Sequence, residues 1–116
     1  MSESLSTNKF FAEGHNNLQQ LMLESDIPIL AKFVAPHCPS CKTLAPVLQQ
    51  LVTDFAGKIV LVTIDMTEYP DLTIELGVRS APTVMLIKGE EILERIPGLK
   101  PKKLYVEAIQ RAIDNG

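Results

Sequence analysis

A chain of 116 residues is long enough for one domain with a modest core that needs no disulfide staples. Its 46% hydrophobic and 22% charged residues are ordinary for a globular protein, and a formal net charge of −3 argues against phosphate-steered nucleic-acid binding. No apolar run approaches the ~20 residues of a membrane span, and two cysteines three positions apart are too few and too close for a secreted disulfide scaffold.

The first eight residues, Met1 to Asn8, are polar and lack a basic segment followed by an apolar stretch. We expect a flexible arm over 1–8 rather than a secretory signal, then a single domain over 9–116, in the cytoplasm or another reducing compartment. Leu18, Leu21 and Met22 follow at helical spacing. The run from Ile27 to Ala35 is almost continuously apolar, as in a strand buried on both faces. Leu44, Val47, Leu48, Leu51, Val52 and Phe55 form one helical stripe, with Pro46 predicting a kink and Gly57 a stop. Lys58 to Asp65 is a second buried strand rich in β-branched residues. Pro70 and Gly77 bracket a short third helix, and Thr83 to Ile87 reads as a third strand. Gly89-Glu90 turns into Ile92 to Ile96, which alternates like a half-exposed edge strand. Tyr105, Ala108, Ile109, Ala112 and Ile113 line one face of a last helix opened by Pro101 and Lys102.

The order helix, strand, helix, strand, helix, strand, strand, helix predicts an α/β fold: a parallel βαβ unit, then an antiparallel hairpin, in a mixed sheet with helices on both faces. No apolar stripe is left over, so a monomer is expected.

Cys38-Pro39-Ser40-Cys41 falls where the central strand ends and the long helix begins. A helix N-terminus offers unpaired N–H groups and partial positive charge, which stabilise a thiolate and lower the pKa of Cys38 below the ~8.5 of a free thiol. Cys38 is then the attacking nucleophile, and Cys41, one turn on, resolves the mixed disulfide. Two competing readings are weaker. An inert core pair does not fit a Pro-Ser insert at a strand–helix junction. A closed metal site needs about four ligands; there is no second Cys pair, and His15 and His37 would contribute only if they came close or if two chains met. No metal or organic cofactor is expected.

Ala35-Pro36-His37-Cys38-Pro39-Ser40-Cys41-Lys42, with Pro46 five residues after the second cysteine, resembles the active-site segment of the thioredoxin family, Trp-Cys-Gly-Pro-Cys-Lys. Val78-Arg79-Ser80-Ala81-Pro82-Thr83 resembles the family's cis-proline loop, and Pro97-Gly98 its glycine near the last strand. The resemblance covers Lys9 to the C-terminus. It implies the thioredoxin fold and a cis bond between Ala81 and Pro82 facing the cysteines. It also implies a groove in which Ala81, Pro82, Gly98 and His37 receive an extended substrate segment.

Three positions depart from the family pattern. His37 stands where the family has Trp, which puts recognition by an ordinary thioredoxin reductase in question; a protonated His37 would stabilise the Cys38 thiolate, whereas a solvated one would tune nothing. Pro39-Ser40 replaces Gly-Pro, and a hydrogen bond from Ser40 to the thiolate would make the pair more oxidising. Lys32 replaces a buried Asp that accepts a proton from the second cysteine. A buried Lys32 either acts as an ammonium beside the thiolate or, with a lowered pKa, as a neutral base, while a lysine that snorkels to the surface does nothing chemical. If no group takes the proton of Cys41, resolution is slow and mixed disulfides persist.

The reading is a specialised thiol–disulfide oxidoreductase that reduces disulfides in protein substrates and is reset by a thioredoxin reductase or another dithiol. The alternatives are a groove-based binding module without turnover, or a more oxidising oxidase or isomerase.

Overall fold

A computed structural model of the chain describes residues 11–13 and 15–115. In chain order the elements are β1 (Phe11–Glu13), α1 (His15–Glu24), β2 (Ile29–Val34), α2 (Pro39–Asp54), β3 (Val60–Asp65), α3 (Pro70–Glu75), β4 (Thr83–Lys88), β5 (Glu91–Pro97) and α4 (Lys102–Asp114). The strands form one sheet in the order β1-β3-β2-β4-β5. β1 and β2 each pair parallel with β3, while β4 runs antiparallel to both β2 and β5. The mixed α/β sheet expected from the sequence is therefore present, with one correction. A fifth strand, Phe11–Glu13, lies at the edge beyond β3. Three residues are too few for an alternation to show, and it is the pairing with Leu61 to Thr63 that makes them a strand. The arm expected over 1–8 lies outside the described residues.

β2 is central because its sequence can be buried on both faces: Ile29, Leu30, Ala31, Lys32 and Phe33 are all buried. Alternation along the strands divides the interior into two clusters. Leu30 of β2, Leu61 of β3 and Val84 and Leu86 of β4 meet Leu44, Leu48, Leu51 and Val52 of α2 and Tyr105, Ala108, Ile109 and Ala112 of α4. On the opposite face Ile29, Ala31, Phe33, Val60, Val62, Ile64, Met85 and Ile87 meet Leu18 and Leu21 of α1 and Leu72 of α3. Burying each of the Leu, Ile, Val, Phe and Met side chains among them stabilises the fold by about 1.5–3 kcal/mol relative to exposure.

The β4–β5 hairpin turns through Gly89-Glu90. Gly89 has φ +62° and Glu90 does not have positive φ, the signature of a type II′ turn, which needs glycine first. The register then shifts between Leu86 and Ile87, leaving Leu93 as an extra residue in β5. Ile92 consequently packs on the α1/α3 face and Leu93 on the α2/α4 face. The simple alternation expected for this edge strand is broken at that bulge.

Phe33 near the end of β2 pairs with Thr83 at the start of β4, and Thr83 in turn pairs with Pro97 at the end of β5. The segments that follow β2, precede β4 and follow β5 therefore meet at one end of the sheet. They are the segments that carry the cysteines, Pro82 and Gly98.

Candidate active site

β2 gives way to α2 through Pro36 and His37. Proline followed by a residue at positive φ is the signature of a type II turn, and His37 has φ +58°. A non-glycine residue in this region is uncommon, although His is enriched there relative to most residues. This strained, exposed position turns the chain so that Cys38 arrives at the helix start. The sequence points to the charge of His37; its backbone is what the structure makes distinctive.

Cys38 is the N-cap of α2, with extended backbone at φ −113°, ψ 99°, and Pro39 opens the helix where a missing N–H costs nothing. The carbonyl of Cys38 accepts the first helical bond from the Lys42 N–H at 3.2 Å. Its Sγ accepts the Cys41 backbone N–H, also at 3.2 Å. A sulfur thus takes the place of the oxygen that usually caps a helix. In this disulfide state the donor at Cys38 Sγ is that backbone N–H rather than the Ser40 hydroxyl. Cys38 and Cys41 are joined as a disulfide, with Cα atoms 5.2 Å apart. Cys41 is buried at 7% exposure, whereas Cys38 is only half-buried.

At the same end of the sheet lies the Ala81–Pro82 peptide bond, which is cis as the resemblance implied. Its loop is held from both sides. The Thr83 hydroxyl donates to the Ser80 carbonyl at 2.7 Å, and the Gly98 N–H donates to the Pro82 carbonyl at 2.8 Å. Gly98 has φ +81°, a conformation that suits glycine and strains other residues. Ala81, Pro82 and Gly98 are therefore brought together at the end of the sheet from which the cysteines spring.

The wall after Gly98 is organised by a residue that sequence reading assigned only to the core. Tyr105 is fully buried, and its hydroxyl donates to the Gly98 carbonyl at 3.3 Å while accepting the Lys100 N–H at 3.1 Å. Burial raises its pKa, partly opposed by the Lys100 bond, so the phenol stays neutral and keeps its proton to donate. The available signal was a tyrosine rather than a phenylalanine on an apolar helix face, since a buried hydroxyl needs a partner.

Lys32 sits between Thr63 and Val84 in the sheet, on the face that carries Leu30 and helix α2. At 7% exposure the residue as a whole is buried. The family's buried acid is replaced by a buried base on the same side of the sheet as Cys41. Asp65 ends β3 beside Val34. Hydrogen bonds from the Thr67 hydroxyl and N–H, at 2.6 and 2.8 Å, hold its carboxyl below the usual range.

Residues 9–111 match the family model described as Thioredoxin. The chain is 33% identical over 105 residues to a thioredoxin of Chlorobaculum thiosulfatiphilum, covering 90% of this chain and 97% of that one. It is 40% identical over 93 residues to thioredoxin M4, chloroplastic, of Arabidopsis thaliana, covering 80% of this chain and 48% of that longer one. Among solved structures it is similar to a mutant thioredoxin from Halobacterium salinarum, with TM-score 0.79 and 27% identity, covering 90% of this chain and 89% of that one.

Proposed function

The chain belongs to the thioredoxin family and is a thiol–disulfide oxidoreductase acting on protein disulfides, and on that premise we propose that Cys38 attacks and Cys41 resolves. The observation that carries this assignment is the unequal exposure of the two sulfurs at one helix start. Cys38 is reachable from solvent and caps the helix, while Cys41 is buried behind it. The Cys38 thiolate, stabilised by the N–H groups of the first turn, attacks one sulfur of a substrate disulfide. That bond breaks, and the leaving sulfur takes a proton. Cys41 then loses its proton and attacks Cys38 Sγ, closing the Cys38–Cys41 disulfide and releasing the second substrate thiol. Two electrons pass from the chain to the substrate. A thioredoxin reductase or another dithiol restores the pair. The backbone of Ala81 receives the substrate segment, with Pro82 and Gly98 forming the adjoining wall.

Lys32 distinguishes this member from the ordinary pattern. In its place the family's carboxylate would receive the proton of Cys41, so the second step is slower here and mixed disulfides live longer. We read the protein as a specialised monomeric reductase of a reducing compartment, the cytoplasm being the reading from its sequence. Two cysteines committed to one exchange pair suit such a compartment.

A redox titration in thiol buffers, read by alkylation mass shift, tests the assignment. A midpoint near about −270 mV marks a reductant, and one near about −200 mV or above marks an oxidant or isomerase. Failure of the pair to oxidise at any poise overturns the exchange reading and leaves the groove-binding one.

A further inference from the structure

The distribution of charge around the groove is uneven. The chain carries 14 Asp and Glu against 11 Lys and Arg. Yet the three segments that meet around the cysteines, 35–42, 78–83 and 97–100, contain Lys42, Arg79 and Lys100 and no carboxylate. All three cations are exposed. Lys42 lies in the first turn of α2, its N–H bonded to the Cys38 carbonyl. Arg79 stands two residues before Ala81.

Lys100 is the best placed. Its Nζ lies 4.0 Å from the point a Cβ on Gly98 would occupy. The loop that carries it is pinned by the buried Tyr105 hydroxyl at both Gly98 and Lys100, and Gly98 is bonded to Pro82. An ammonium is thereby set against the wall next to the cis proline. Lys102, by contrast, is turned away to Asp54 at the end of α2, 3.4 Å distant.

Acidic residues at this end of the sheet include Asp65, which ends β3, and Glu68 and Asp71, which follow it, on the other side of β2 from β4 and β5. The field across the groove is therefore polarised, positive on the β4–β5 side. A cleft lined by one sign of charge raises the encounter rate of the opposite sign and repels its own.

We propose that the groove selects disulfides flanked by Asp or Glu, with Lys100 and Arg79 as its specificity-determining residues. This rests on the exchange function argued above. An acidic side chain within two or three residues of the attacked cysteine would meet Lys100 as its backbone passes Ala81.

The test uses two synthetic peptides closed by one disulfide and identical except for three flanking residues, Asp in one and Lys in the other. Rates of reduction by the pre-reduced full chain are divided by those with dithiothreitol, which removes intrinsic differences between the disulfides. The acidic peptide is expected to react about tenfold faster at low ionic strength, narrowing to about twofold near 1 M salt. Lys100→Glu should cut the preference at least threefold. Lys58→Glu, the same change in net charge at the opposite end of the sheet, should leave it intact. Equal normalised rates for the two peptides overturn the selectivity while leaving the oxidoreductase standing. A preference that survives Lys100→Glu overturns the role of Lys100. Reduction of neither peptide overturns the exchange reading itself, and this inference with it.

Discussion

On one face of the sheet, helices of 16 and 13 residues bury Leu44, Leu48, Leu51, Tyr105 and Ile109 against β2, β3 and β4. On the other, helices of 10 and 6 residues cover Ala31, Phe33, Val62 and Met85 and leave Leu23 and Ile74 at 73% and 76% exposure. The two cysteines, the buried Lys32 and the tyrosine that pins the Gly98 loop all belong to the first face. The comparison shows how a site near the surface is made rigid. Cys38 is half exposed, but the helix it caps is anchored within three turns by Leu44 and Leu48, which are fully buried. The second face closes the fold and contributes no reacting group.

Core truncation should show the largest contrast. Leu48→Ala, in the middle of α2, is expected to cost about 3 kcal/mol, and Leu72→Ala, on the short α3 where neighbours can settle, about 2 kcal/mol or less. Urea unfolding measures both, and equal losses would remove the asymmetry. The buried base offers a kinetic contrast on the same face. Lys32→Asp should shorten the lifetime of a trapped mixed disulfide about tenfold by giving Cys41 a proton acceptor near neutral pH. A lifetime that does not change in a variant with wild-type circular dichroism would separate Lys32 from the second step.

Tyr105→Phe leaves the Gly98 carbonyl and the Lys100 N–H without their partner, and we expect a loss of about 1 kcal/mol together with faster amide exchange at Lys100. A stability loss without faster exchange would make the hydroxyl a packing detail rather than the pin of the loop. The smallest effect concerns Glu94, whose carboxylate receives two 2.8 Å hydrogen bonds from Arg111 that hold its pKa below the usual range, against some desolvation. Because the folded value is depressed, this pair stabilises the fold above the unfolded carboxylate pKa of about 4.3, and the contribution fades as pH falls through the folded value. Glu94→Gln should flatten that part of the stability–pH curve slightly, and a curve that does not change would mark the pair as energetically silent.

Much of the first face could be read from residue order. The stripe from Leu44 to Phe55, the continuous apolar run of β2 and the cysteines at their junction are local patterns, and local patterns survive folding. Pro82 was legible only through its resemblance to a known loop. What escaped reading depends on contacts distant in sequence. Phe11–Glu13 becomes a strand because β3 lies beside it. The apolar run around Lys32 pointed to a strand covered on both faces, but the charge of Lys32 argued against its own burial, and it is the helix laid across β2 that decides it. The partners of Tyr105 are closer, five and seven residues back, but they meet its hydroxyl only because the turn after β5 folds over the start of α4. The left-handed backbone of His37 had a local cue in the preceding proline, which fits the first corner of a type II turn.

Helix α2 runs unbroken from Pro39 to Asp54, through Pro46. Proline has no N–H, so the rung that would join residue 46 to the Lys42 carbonyl is missing from the helix ladder. The turns bearing the cysteines are thus tied to the remainder of the rod by one fewer strut.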